Sequence, residues 1–166
     1  MKVNANNILF LLREAEESGS YPGWARGVLE LHGINSALWE LEDRAREREI
    51  SDADLAAVKR EIDQRNLLRH KAIAELDVLI YEDLYAEPPK KEAEQIFNSE
   101  TPAQMTDRLS VLILKEILLR SEDDADSLMR VSARIKFIAS CQDQVFMKAR
   151  KGARLVLFKE YKKYGR

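Results

Sequence analysis

Residues 101–120 read TPAQMTDRLSVLILKEILLR, and the fold class follows from this stretch. Thr101 is a hydroxyl N-cap, and Pro102 takes the first helical position, where its missing N–H costs nothing. Gln104 stands three residues after the cap. The spacing predicts a helix from Pro102 to about Arg120. Leu109, Val111, Leu112, Ile113, Leu114, Ile117, Leu118 and Leu119 run nearly all round it, so it is expected to be central and buried on most sides. The fold expected is therefore all-α, a single antiparallel bundle of five or six helices around this central one.

Working outward, helical periodicity continues in both directions. A first helix is expected over about 4–17, broken by Gly19-Ser20-Tyr21-Pro22-Gly23, and a second from about Trp24 to Glu49. Ser51 reads as the N-cap of a third helix over about 52–84, with Asp54 in the capping-box position. Residues 85–100, with Pro88-Pro89, form the one long irregular stretch, able to hold a short helix at 90–97 and expected to be the most mobile internal segment. A fifth helix is expected from Ser121 or Asp124 to about Lys151. Gly152 punctuates the chain before a last helix at about 153–164. No repeat or linker divides the 166 residues, so one domain, 1–166, is expected.

Composition agrees. Hydrophobic residues make up 45% and charged residues 34%, and 6 Gly with 4 Pro supply too little turn chemistry for a many-stranded fold. The single cysteine, Cys141, excludes an internal disulfide and a cysteine-based zinc site. The apolar run Ile8–Leu12 is too short for a signal peptide, and nothing approaches the ~20 apolar residues of a membrane span, so a cytoplasmic protein without a membrane span is expected. Net charge is −2, yet residues 148–166 hold eight Lys/Arg against Glu160, leaving −9 on the rest. Phe158, Tyr161 and Tyr164 share a helical side with Leu155 there. Packing against the bundle or a protein partner therefore ranks above nucleic acid.

The informative residues are polar groups where core is expected. On the second helix His32, Asn35, Trp39, Glu42, Asp43 and Arg46 fall on one arc beside the apolar face of Leu31, Leu38 and Leu41. On the third, Asn66 and Arg69 interrupt the apolar stripe, with Asp63 and His70 beside it; Asp107, Arg108 and Lys115 are charges on the helix of residues 101–120. Burying an unpaired charge costs several kcal/mol, so these groups should pair with each other or with a ligand. Asp43, Arg69 and Asp107 are expected in one buried cluster. The competing reading is a polar network that fixes helix register and carries no chemistry.

These positions also carry a family likeness. Leu38-Trp39-Glu40-Leu41-Glu42-Asp43-Arg44-Ala45-Arg46 is similar to W-x-L-E-D-x-x-R. Lys59-Arg60-Glu61-Ile62-Asp63, with Asn66, Arg69 and later Asp77, is similar to K-R-x-I-D-x-x-N-x-x-R. Thr101-Pro102, Asp107-Arg108-Leu109-Ser110-Val111-Leu112 and Leu114-Lys115 are similar to T-P-x(4)-D-R-L-S-I-L-x-L-K. The Lys-rich end, residues 158–164, is a fourth, looser match. The sequence thus resembles the uncharacterised bacterial family known as domain of unknown function 4254. Lys71 departs from its pattern, where an acidic residue stands. The resemblance implies a helical fold and an association with surface-polysaccharide and glycosyltransferase genes, but no activity.

Two function classes remain. One is a binding or assembly module for a protein partner or a small anionic ligand; the other is a small metal-dependent phosphate-ester or nucleotide hydrolase using inward carboxylates. For the second, Glu14/Glu17 and Glu40/Asp43 have Mg²⁺-pair spacing, but a chain with 29 acidic residues yields such pairs by chance. No E-x-x-H exists for di-iron chemistry, and no glycine-rich phosphate loop is present. Cys141 reads as a small core residue. Ser110 has no histidine near it in sequence, and the chain has only His32 and His70. No cofactor or metal is expected. The binding module ranks first. The sequence does not set the oligomeric state.

Overall fold

In a computed structural model, residues 1–14 and 19–156 are described. Among them the elements are α1 (Ala5–Glu14), α2 (Gly23–Arg44), α3 (Asp52–Leu84), β1 (Gln95–Ile96), α4 (Pro102–Ser121), α5 (Ala125–Arg150) and β2 (Arg154–Leu155). The fold is all-α apart from the β1–β2 pair.

The helix starts follow the local chemistry. Thr101 accepts the Gln104 amide at 3.2 Å while Gln104 Oε1 accepts the Thr101 amide at 2.8 Å, a complete capping box. Ser51 accepts from the Asp54 amide and Asp124 from the Ser127 amide. α4 packs against each of the other four helices, and α2 runs back along α3. Where α2 approaches α3, Gly27 leaves only 3.1 Å between an added Cβ and Leu76.

One apolar cluster gathers residues from every helix, with Ile8, Leu31, Leu76, Leu109, Ile113 and Phe146 fully enclosed. A second, smaller cluster holds Leu38, Leu41, Val58 and Ile62, supplied by α2 and α3 alone, with Ile50 of their connecting turn packed on it. The far end of the α2–α3 pair is thus a hairpin with a core of its own.

Four features differ from expectation. α2 ends at Arg44, because Ala45–Ile50 turn the chain early and bring Ile50 onto the hairpin core. Residues 90–97 form no helix; Ile96 is buried and β1 pairs in parallel with β2, Gln95 opposite Arg154 and Ile96 opposite Leu155. No helix begins at Ala153. Gly152, at φ +95, donates to Ala149 O, and Ala153 donates to Lys148 O. This double closure stops α5 and sends the chain into β2. Lastly, the outer side of α4 is not covered throughout: Ile117 is 56% exposed and Leu118 38%.

The irregular stretch is tied down at its start by Tyr85 and further along by β1, where the Arg154 amide donates to Glu94 O at 2.7 Å. Tyr85 donates its hydroxyl to Ala153 O at 2.6 Å and accepts the Leu155 amide at 2.9 Å. The first residues of the chain are also clamped: Asp83 accepts the Val3 amide, Asp143 accepts the Ala5 amide, and Arg150 donates to Val3 O. The expected aromatic set Phe158, Tyr161 and Tyr164 lies outside the described residues.

Candidate functional site

The polar residues of α2, α3 and α4 converge about halfway along α2. Asn35 is 2% exposed and lies where α4 crosses α2. Its Nδ2 donates to Asp107 Oδ1 at 2.9 Å and to Ser110 Oγ at 3.1 Å. Turning the amide over would set its carbonyl against the Asp107 carboxylate, so Asp107 fixes this orientation. Ser110 is fully buried and sits 2.9 Å from His32 Nδ1.

Ser110 Oγ accepts from Asn35 and keeps one further lone pair and its proton, so it serves His32 Nδ1 as acceptor or as donor according to the imidazole tautomer. Burial pushes the His32 pKa below its ordinary value and so favours the neutral ring. Asp107, Asn35, Ser110 and His32 are thus joined in one hydrogen-bonded chain.

On the other side stands Arg69, its Nε 4.0 Å from Asp107 Oδ1 with the side chains 29% and 17% exposed. This is a charge contact too long to be a hydrogen bond. Two atoms of the node are thereby left buried without a hydrogen-bond partner: Asn35 Oδ1, an acceptor, and Arg69 Nε, a donor. Leaving such a group unsatisfied costs about 1–3 kcal/mol. The outer parts of Arg69 and Asp107 reach solvent, so the node is half-open on that side, with both unpartnered atoms beneath the rim.

The other expected site residues fall into two sets. Trp39 and Asn66 are half-buried along the same hairpin. Glu42, with Arg46 and Lys59, forms a surface charge strip, Glu42 lying 3.7 Å from Lys59 across the hairpin and 3.9 Å from Arg46. Asp43 does not join the buried cluster. It is 59% exposed and pairs with Arg46 at 3.1 Å, because it lies in the last turn of α2, within the stretch that only α3 covers. Asp63 and Lys115 are exposed, and Arg108 turns away from the node to meet Glu100 at 2.6 Å. Glu14, Glu40 and Asp43 are likewise on the surface. Among the described residues, no three His, Cys, Asp or Glu side chains come together as a metal-holding group.

Sequence reasoning missed four buried polar residues, Glu116, Asp77, Thr106 and Gln142, and one contact. Glu116, 4% exposed, accepts from Arg13, Arg120 and Ser132. Burial raises its pKa, but these donors, Arg13 foremost, outweigh that and hold it below the ordinary value. Asp77 accepts the Ala103 amide at the start of α4; burial pushes its pKa up to about 6 against the lowering by Thr101 and Ala103. Gln142 donates to Pro102 O and Thr106 Oγ1. The missed contact is Ser110 with His32, whose separation in sequence hid it. A lone serine amid the apolar run of α4 was the available signal.

Among the described residues, no helix is long and apolar enough to cross a membrane. No curated protein and no solved structure matches the chain. A family model described as protein of unknown function, DUF4254, matches residues 25–155, which span the α2–α3 hairpin, the whole polar node and the β1–β2 pair. The chain belongs to the DUF4254 family.

Proposed function

We propose that the protein is a binding module whose ligand group enters the open side of the Asn35–Arg69–Asp107 node. One observation carries this reading: an unpartnered acceptor, Asn35 Oδ1, and an unpartnered donor, Arg69 Nε, belong to the same half-open cluster. A group that donates and accepts at once, such as a hydroxyl or a carboxamide, satisfies the pair. A small anion does so less well, because Asp107 already offsets the guanidinium charge. A hydroxyl-bearing ligand agrees with the surface-polysaccharide association that the family resemblance implies. The hydrolase reading has one inward carboxylate in this cluster, Asp107, to stand on. The chain is taken as one antiparallel helical domain, 1–166, organised around α4, whose contacts with all four other helices support that arrangement.

The test is a thermal-shift screen of hydroxyl-rich, carboxamide and anionic metabolites against the wild type, Asn35→Ala and Arg69→Ala. The expected result is a stabilising compound of the first two classes whose effect disappears in both variants. Compounds that shift all three proteins equally bind elsewhere, and that outcome overturns the assignment.

A further inference from the structure

The outward face of α5 takes no part in the node. At about 3.6 residues per turn, Met129, Ala133, Phe137, Ser140, Gln144 and Met147 form one stripe along it, ~28 Å long at 1.5 Å rise per residue. All six are exposed, with Phe137 69% accessible, Met129 67% and Met147 54%. No charge interrupts the stripe, in a chain where 34% of residues are charged. Its later members recur in steps of four and three, the register that lets a second helix lie alongside.

The edges carry the selectivity. Arg130, Arg134 and Lys148 line one side and Lys136 the other, all exposed. None of these four forms an ion pair among the described residues. Asp143, the acidic residue near that edge, is engaged by the Ala5 amide.

We propose that the α5 face is the docking surface for an acidic amphipathic helix of a partner protein. Phe137 and the two methionines take the partner's apolar stripe, and the flanking cations take its carboxylates. Charge decides against a second copy of this chain, since two α5 faces brought together would oppose like-charged edges. The apolar content decides against a lipid surface. Ser140 and Gln144 occupy the middle of the stripe, where a membrane-surface helix carries large apolar side chains.

The experiment uses the full chain and a labelled synthetic helical peptide with Leu at i, i+3, i+4 and i+7 and Glu on both flanks, read by fluorescence anisotropy. The expected result is saturable, salt-weakened binding that falls about tenfold or more in Phe137→Glu, as for loss of a central anchor. It should fall similarly in an Arg134→Glu/Lys148→Glu variant, which should gain affinity for the Lys-flanked version of the peptide. Phe137 is exposed, so the Glu variant should keep its wild-type circular dichroism and melting midpoint. Three outcomes overturn the proposal: no binding of the Glu-flanked peptide, a Phe137-dependent dimer without it, or Phe137-dependent binding to phosphatidylglycerol vesicles in its place.

Discussion

α4 enters two polar nodes, and they differ in the way that separates structure from binding. At its first turn, Thr101, Ala103, Thr106, Asp77 and Gln142 form a sealed set, with Thr106 and Gln142 fully buried. One turn further on, Asp107 and Ser110 join Asn35, His32 and Arg69 in a set whose rim reaches water. Each set contains unpartnered polar atoms: Gln142 Oε1 in the first, Asn35 Oδ1 and Arg69 Nε in the second. In the sealed set the orphan is a standing cost to stability. In the open set the same deficit can be met by an incoming group. Unsatisfied atoms therefore point to binding only where they lie just beneath a rim that solvent reaches, so that a small side-chain movement opens them to a ligand.

The sealed node depends most on Gln142. Truncating it to Ala removes two buried hydrogen bonds and leaves a cavity between α4 and α5. The expected loss is about 3 kcal/mol, read from the urea midpoint. A loss under about 1 kcal/mol would show that water already fills the sealed node.

Asp77 tests the same node through pH. Its folded pKa of about 6 exceeds the ordinary 3.8, so the folded state holds the proton more tightly than the unfolded one. Its contribution is thus fully present below about pH 4 and is lost as pH rises through 6. His32 has the opposite sense: its folded pKa is lowered, and its contribution is lost as pH falls below its ordinary 6.5. Asp77→Asn keeps an acceptor for the Ala103 amide and removes the titration. Relative to the wild type, the variant should gain about 2–3 kcal/mol between pH 4 and pH 7. A constant difference across that range would mean that Asp77 is solvated.

Much of this was legible in the sequence, and the rest was hidden for identifiable reasons. The Thr101–Gln104 capping box, the start of α3 at Asp52 and the stop at Gly152 are local events, decided by residues within a few positions of each other. Asn35, Arg69 and Asp107 stood out because a polar side chain beside an apolar stripe must find a partner. Which partner it finds depends on where one helix crosses another, and helical spacing within a single segment does not contain that. Asp43 shares the arc of Asn35 yet lies on the part of α2 that only α3 covers. Ser110 and His32 meet across two helices. The strand at 95–96 needed knowledge of where α5 ends.

Arg69 and Asp107 give the smallest effect and the sharpest separation of the two nodes. Were their pair sealed, removing Asp107 would strand a buried cation and cost about 3–5 kcal/mol. The side chains are instead 29% and 17% exposed and 4.0 Å apart, so the freed guanidinium can turn toward water. Asp107→Ala is therefore expected to cost about 1–2 kcal/mol, chiefly through the Asn35 Nδ2 proton left without its acceptor. Arg69→Ala should cost under about 1 kcal/mol, since the contact it loses is half-solvated and no donor bond is broken. The double variant should then be close to Asp107→Ala alone, because the carboxylate is gone in both. Chemical denaturation of the three proteins at one pH checks the order. An Arg69→Ala loss equal to or larger than that of Asp107→Ala would mean that the guanidinium is part of the sealed core, and the open node would lose the free donor on which binding depends.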